Sequence, residues 1–302
     1  MKFLEKASLR TKILVPVTAV MVLLLAVTVF IVNQRFKQQF EENSRRQLAA
    51  AKLRFQHEQI NHLNQLNFRF QSLAREPKYF AAFRTLNPNT IQKQLGLMVE
   101  NEGLTNEGVV FICFAPQNSG AVDAVSPVIQ LLSQSLSAAA VMSGCEASVK
   151  SALTNAALPD TVHIGANLFN VVSIPLFSVD GDQIIGALAF GEEVGLPVAQ
   201  DLCIGTGGSS CSAFIAGTNV IVSTLPGTND PAGLVARFRA LNARADQTNA
   251  SLARAIIDGK NYFCSSGKFS SLNNDATLGY LLFTSYEDEL TALSATRSLL
   301  TA

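Results

Sequence analysis

The chain has 302 residues, enough for one large domain or two ordinary ones. Apolar residues make up 48% and charged residues 15%, which excludes a disordered chain because there is ample surface to bury. Lys plus Arg and Asp plus Glu both number 23, so the chain lacks the basic field of a nucleic-acid binder; only one stretch is apolar enough for a bilayer, which excludes a multi-pass transporter.

That stretch is Ile13 to Val32, a run free of charged residues and about 30 Å long as a helix. It exceeds the hydrophobic region of a signal peptide and leaves through Phe30-Ile31-Val32-Asn33-Gln34 without a small-residue cleavage pattern, so an uncleaved anchor is expected. Lys2, Lys6, Arg10 and Lys12 precede it against one acid, Glu5, which puts residues 1–12 in the cytoplasm and everything after Val32 outside it. Arg35 and Lys37 beyond the run reduce that asymmetry.

Residues 33–75 read as one long helix, without Gly or Pro and with an apolar stripe at Phe36, Phe40, Leu48, Phe55, Ile60, Leu63, Leu66, Phe70 and Leu73. The stripe serves either as a stalk or dimer seam or as packing on the chain's own domain. Arg75-Glu76-Pro77 ends it, and short helices are expected over Tyr79–Leu86 and Asn89–Asn101. Gly108–Phe114 reads as a buried strand, Ala121–Val125 as its return, and Pro127 to about Ala157 as helix. Phe169–Phe177 and Ile184–Phe190, joined by Asp180-Gly181-Asp182, make the clearest hairpin. A second cycle follows: helix Leu196–Ile204, strands Ser212–Ala216 and Val220–Thr224, helix Asp230–Ile257 capped by Asn229 or Asp230, and strands Tyr262–Phe269 and Leu278–Ser285. From Tyr286 the chain turns amphipathic, as an exit helix over 286–302. The order implies an α+β fold of antiparallel sheets with helices packed on them.

Three segments carry a family resemblance. Ser173-Ile174-Pro175-Leu176-Phe177 leads through Asp180-Gly181-Asp182 to Ile184-Ile185-Gly186-Ala187-Leu188. Ala213-Phe214-Ile215 runs through Thr218-Asn219 into Val220–Pro226, and Leu278-Gly279-Tyr280-Leu281-Leu282 precedes the last helix. Together they resemble the double Cache sensor regions of bacterial histidine kinases, diguanylate cyclases and nucleotide cyclases. The resemblance implies two tandem PAS-like modules, a membrane-distal one over 76–195 and a membrane-proximal one over 196–285, and a second membrane segment beyond. It also implies a cytoplasmic kinase or cyclase output that this sequence does not contain. The amino-acid-binding subgroup carries an aromatic and Arg-rich motif with a Trp, and Trp is absent here.

The chemistry-bearing residues point away from catalysis. Gly205-Thr206-Gly207-Gly208 has no following Lys, so it is a turn and not a phosphate loop. His57 and His62, five apart, face different sides of a helix and read as solvated. The carboxylate pairs Asp180/Asp182 and Glu192/Glu193 read as turn and strand-end residues. Of the five cysteines, Cys203 with Cys211 and Cys113 with Cys145 are the possible pairings in an oxidising exterior, with reduced core thiols as the alternative; Cys264 is left over. No metal site or cofactor motif is present. From Val109 to Leu196 there are seven acids (Asp123, Glu146, Asp160, Asp180, Asp182, Glu192, Glu193) against one base, Lys150, which favours a neutral or cationic small molecule over an anion. Asp123, His163, Asn170 and Ser173, polar groups on or beside the distal sheet, are the candidate ligand contacts. The expectation is an inner-membrane, non-enzymatic sensor region, homodimeric, that binds a small molecule and no nucleic acid; the alternative is a single-pass adhesion-type protein assembling through its long helix.

Overall fold

The computed structural model describes residues 9–117, 126–178, 180–181, 183–204, 210–226, 230–243, 253–273, 275, 277–287 and 291. The chain divides into two compact units, Met1–Gln47 and Leu48–Ala302. Helix α1, Leu9–Ala74, is unbroken, as the lack of Gly and of any Pro after Pro16 allows. In the first unit its side chains from Val20 to Leu25 are exposed apolar groups: Met21 is 68% and Val22 69% accessible. Among the described residues no helix is long and apolar enough to cross a membrane, so the anchor expected over Ile13–Val32 is not found there; described side chains in that run begin at Val17.

The second unit holds two five-stranded antiparallel sheets. In the first, β1 (Val109–Pro116), β2 (Val128–Leu131), β3 (Asp160–Ile164), β4 (Asn167–Phe177) and β5 (Ile184–Glu193) lie in the order 2-1-5-4-3. In the second, β6 (Ser210–Ala216), β7 (Asn219–Ser223), β8 (Ala253–Ile257), β9 (Lys260–Lys268) and β10 (Leu278–Ser285) repeat it as 7-6-10-9-8. Each sheet is crossed from its second to its third strand by a helix, α4 (Ala138–Leu153) in the first and α6 (Pro231–Asn242) in the second. Helices α2 (Pro77–Phe83), α3 (Pro88–Glu102) and α5 (Leu196–Ile204) complete the unit.

Strand alternation gives each sheet two apolar faces. On the first sheet Ile112, Phe114, Val172, Ile174, Leu188 and Phe190 face α1, α2 and α3, with Phe70 stacked on Phe190 at 4.2 Å between ring centres. The opposite residues, Phe111, Cys113, Val171 and Ala189 among them, face α4. On the second sheet Leu234, Val235, Phe238 and Leu241 of α6 cover one face. Phe55 of α1 meets Phe214 and Tyr280 of the second sheet at 5.9 and 4.4 Å between ring centres. Two glycines admit aromatic rings across a strand pair: a Cβ at Gly191 would lie 2.1 Å from the Phe111 ring, and one at Gly267 2.1 Å from the Tyr280 ring.

The hairpin around Gly181 forms as expected, with β4 beside β5, and Asp230 caps α6 by accepting from the Gly233 N–H at 2.8 Å. Two expected helices are shorter than the composition suggested. Pro127–Ala157 begins with β2, whose Val128–Leu131 pairs with Phe111–Phe114, and becomes helical only after Ser137, the cap of α4. Asp230–Ile257 ends its helix at Asn242, and Ala253–Ile257 is β8, paired with β9. In both cases an unpaired strand edge takes up a segment whose local preference is weak. Strand β3 was not expected. The return strand at 121–125, the Gly-rich loop at 205–209 and most of the exit helix lie outside the described residues.

Candidate ligand-binding site

Among the described residues the buried charged groups of the second unit, Asp160 and Glu192, both lie in the first sheet. Asn170 of β4 stands between Thr161 of β3 and Glu192 of β5 as register partners, so all three share the face toward α1. Thr161 Oγ1 donates to Asn170 Oδ1 at 3.4 Å, and Asn170 Nδ2 donates to Glu192 Oε2 at 3.0 Å. The same carboxylate oxygen is 2.8 Å from His62 Nε2 of α1. The Glu192 side chain is 7% exposed and His62 30%, so this ion pair lies at the joint between helix and sheet, mostly shielded from water. The hydrogen bond to Glu192 raises the His62 pKa above its ordinary 6.5; burial opposes the rise, and the charges of Glu192 and Asp201 add to it. The expectation of a solvated His62 is therefore corrected: one residue before the inward Leu63, its ring reaches back to the sheet.

On the opposite face Ser173 and Ser148, beneath α4, share a hydrogen bond at 2.7 Å amid apolar neighbours. Small residues line this contact, and a Cβ at Gly144 would lie 2.5 Å from Ile164 Cγ1, which holds α4 against β3. Asp160, the first residue of β3, is fully buried. Its Oδ1 accepts from the Leu272 N–H at 2.9 Å, while among the described residues Oδ2 has no hydrogen-bond partner. Burial raises its carboxyl pKa; the bonds from Leu272, Thr161 and Ser271 act the other way. Beside it the Thr161 N–H donates to Ser270 O at 3.1 Å, so the loop between β9 and β10 is fastened to the first sheet.

The candidate contacts therefore go to different places. Asn170 faces α1, Ser173 faces α4, and His163 lies on the edge strand β3 with a buried Nε2 that has no partner among the described residues. Asp123 lies outside the described residues. Sequence reasoning missed His62, Asp160 and the role of Glu192; only the helical stripe, which puts His62 at its margin, carried a signal. Glu193 accepts from Asn167 Nδ2 at 2.9 Å, and Glu146 pairs with Lys150 on the surface of α4 at 2.5 Å.

The five cysteines stand as thiols in the structure, and Cys113, Cys145, Cys203 and Cys264 are buried. Cys113 Sγ lies 3.3 Å from Met142 Sδ, and Cys203 Sγ 3.1 Å from Ser212 Oγ. Burial pushes the Cys113 thiol up to about 12 and that of Cys264 to about 11, so both behave as small apolar groups.

Two five-stranded antiparallel sheets in the order 2-1-5-4-3, each crossed by one helix and both packed on α1, form the tandem PAS-like arrangement that the hairpin motifs resemble. No family model and no curated protein matches the chain. Among solved structures it is similar to the ligand-binding domain of the Campylobacter jejuni chemoreceptor Tlp3 in complex with L-valine, at 13% identity and a TM-score of 0.45, over 82% of this chain and 94% of that one. It is similar to the ligand-binding domain of the Pseudomonas aeruginosa amino acid chemoreceptor PctB in complex with L-Arg, at 12% identity and a TM-score of 0.41, over 85% and 92% of the two chains. The periplasmic domain of Vibrio cholerae LuxQ aligns at 12% identity and a TM-score of 0.42, over 80% and 99%.

Proposed function

We propose that the chain is a membrane-anchored, extracytoplasmic sensor region, not itself an enzyme, whose first module (76–195) binds a small neutral or cationic molecule. The second module (196–285) passes the resulting shift through an exit helix to a cytoplasmic output domain. One observation carries the reading: the buried polar ladder Thr161–Asn170–Glu192 ends on His62 of α1, so a change at the sheet is felt directly by the long helix. A ligand acts by favouring one of two arrangements, and shifts of about 1–2 Å between packed helices suffice. The uncharged run Ile13–Val32, with four basic residues ahead of it and exposed apolar side chains along it, supports anchoring in the inner membrane. Leu53, Phe68 and Ile60, the last expected in the stripe but turned outward, are 68%, 73% and 54% exposed; they lie on the side of α1 away from its buried residues and support a homodimer.

The test is a thermal-shift screen of the full chain in detergent micelles against metabolites. A ligand of the folded state raises the melting temperature, and Asn170→Ala erases that rise. If no compound shifts the transition, the sensor reading fails.

A further inference from the structure

A cleft of about 370 Å³ opens between the two sheets' modules, away from the polar ladder. Ser143 and Gly144 of α4 and His163 of β3 form one wall; Ser271, Asn273 and Asp275 of the β9–β10 loop form the other. The volume lies near the lower end for small-molecule sites and equals the liquid share of about a dozen waters. Its floor is set by the fastening already described. Because the Thr161 N–H points outward to Ser270 O, the next residue of the same parity, His163, turns its own N–H and C=O away from β4 and toward the cleft. Asp275 Oδ1 accepts from the Thr277 N–H at 2.8 Å and from Thr277 Oγ1 at 2.7 Å, so both bonds fall on one oxygen of the carboxylate. Among the described residues that line the cleft there is no Lys or Arg, and the one full charge is the Asp275 carboxylate.

We propose that this cleft is a second binding site, for a small amine that also carries a hydroxyl or a further amino group. The ammonium pairs with Asp275 Oδ2, and the second group bonds the His163 main chain or the hydroxyls of Ser143 and Ser271. A carboxylate ligand would meet Asp275 with no cation opposite. An occupant joins the edge of the first sheet to the loop that enters β10 at Leu278, and β10 leads at Ser285 toward Tyr286. Binding here therefore biases how the two modules meet, whatever occupies the first module.

The test is calorimetric titration of the full chain in detergent micelles with ethanolamine and with putrescine, and with succinate as the anionic probe. Asp275→Asn keeps an oxygen for the Thr277 turn and removes the charge; Ser143→Phe, at an exposed helix position, fills the cleft; Asn170→Ala perturbs the first module alone. At least one amine is expected to bind, about tenfold more weakly to Asp275→Asn, not at all to Ser143→Phe, and unchanged to Asn170→Ala. No amine binding at millimolar concentration, equal binding of succinate, or wild-type affinity in both cleft variants overturns the proposal. Metabolites that raise the melting temperature while the amines do not leave the sensor reading standing and remove this site.

Discussion

The first sheet carries α4 where the second carries α6, with the same strand order beneath, and the two interfaces are filled differently. Helix α6 turns Leu234, Val235, Phe238 and Leu241 onto its sheet, and Gly279 makes room for Phe238: a Cβ there would lie 2.5 Å from the ring. Helix α4 turns Val141, Cys145, Ser148, Val149 and Ala152 onto its own. Among the described residues the fully or nearly buried charged groups, Asp160 and Glu192, both belong to the first sheet, whereas the buried polar groups of the second are serines. The α6 interface is apolar and sealed by the Phe238 ring. At the α4 interface the side chains that the helix contributes are smaller and include Ser148, bonded to Ser173; hydrogen bonds are directional and can be exchanged for bonds to a ligand. One topology thus accommodates two differently filled helix–sheet interfaces, and on the proposed reading the first would be the adjustable one.

The largest test of that contrast is truncation of the two helices. Phe238→Ala is expected to cost about 3–5 kcal/mol, whereas Val141→Ala in α4 costs about 1–2 kcal/mol, as read from urea unfolding midpoints. Equal losses would erase the distinction. Next is Glu192→Gln, which removes the charge facing His62 and is expected to cost about 1–3 kcal/mol at slightly acid pH. A smaller effect is the pH dependence of the same pair. His62 has a raised pKa in the folded state, so its contribution is fully present below about pH 6.5 and is lost as pH rises through the folded value. Midpoints measured on either side of pH 6.5 should fall toward the alkaline side, and His62→Gln should flatten that slope. The smallest is the serine pair: Ser173→Ala alone should cost about 1 kcal/mol, and the double change Ser148→Ala with Ser173→Ala no more than that. A double change costing the sum of the singles would show that the two hydroxyls act independently.

The apolar patterns made much of this legible from sequence. The hairpin around Gly181, the strand Leu278–Ser285 and the helix Leu196–Ile204 stand where local preference, turn chemistry and burial agree. Strands β2, β3 and β8 did not show themselves, because edge strands are short and owe their form to a neighbour already in place. The polar site was harder to see for a related reason. Glu192 ends a strand and His62 lies on a helix 130 positions earlier, so nothing local distinguishes them from solvated residues. Asn170 and Ser173, both chosen as polar groups on one strand, differ by an odd number of positions and so point to opposite faces.

The bonds from Thr161 to Ser270 and from Leu272 to Asp160 have a further consequence for how the protein is made. Strand β3 is the outer margin of its sheet, and such a margin readily recruits foreign strands. Its cover comes from a loop synthesised about a hundred residues later. During translation the first sheet must therefore wait with one side open, and a truncated product ending before residue 270 would be the form most prone to clump.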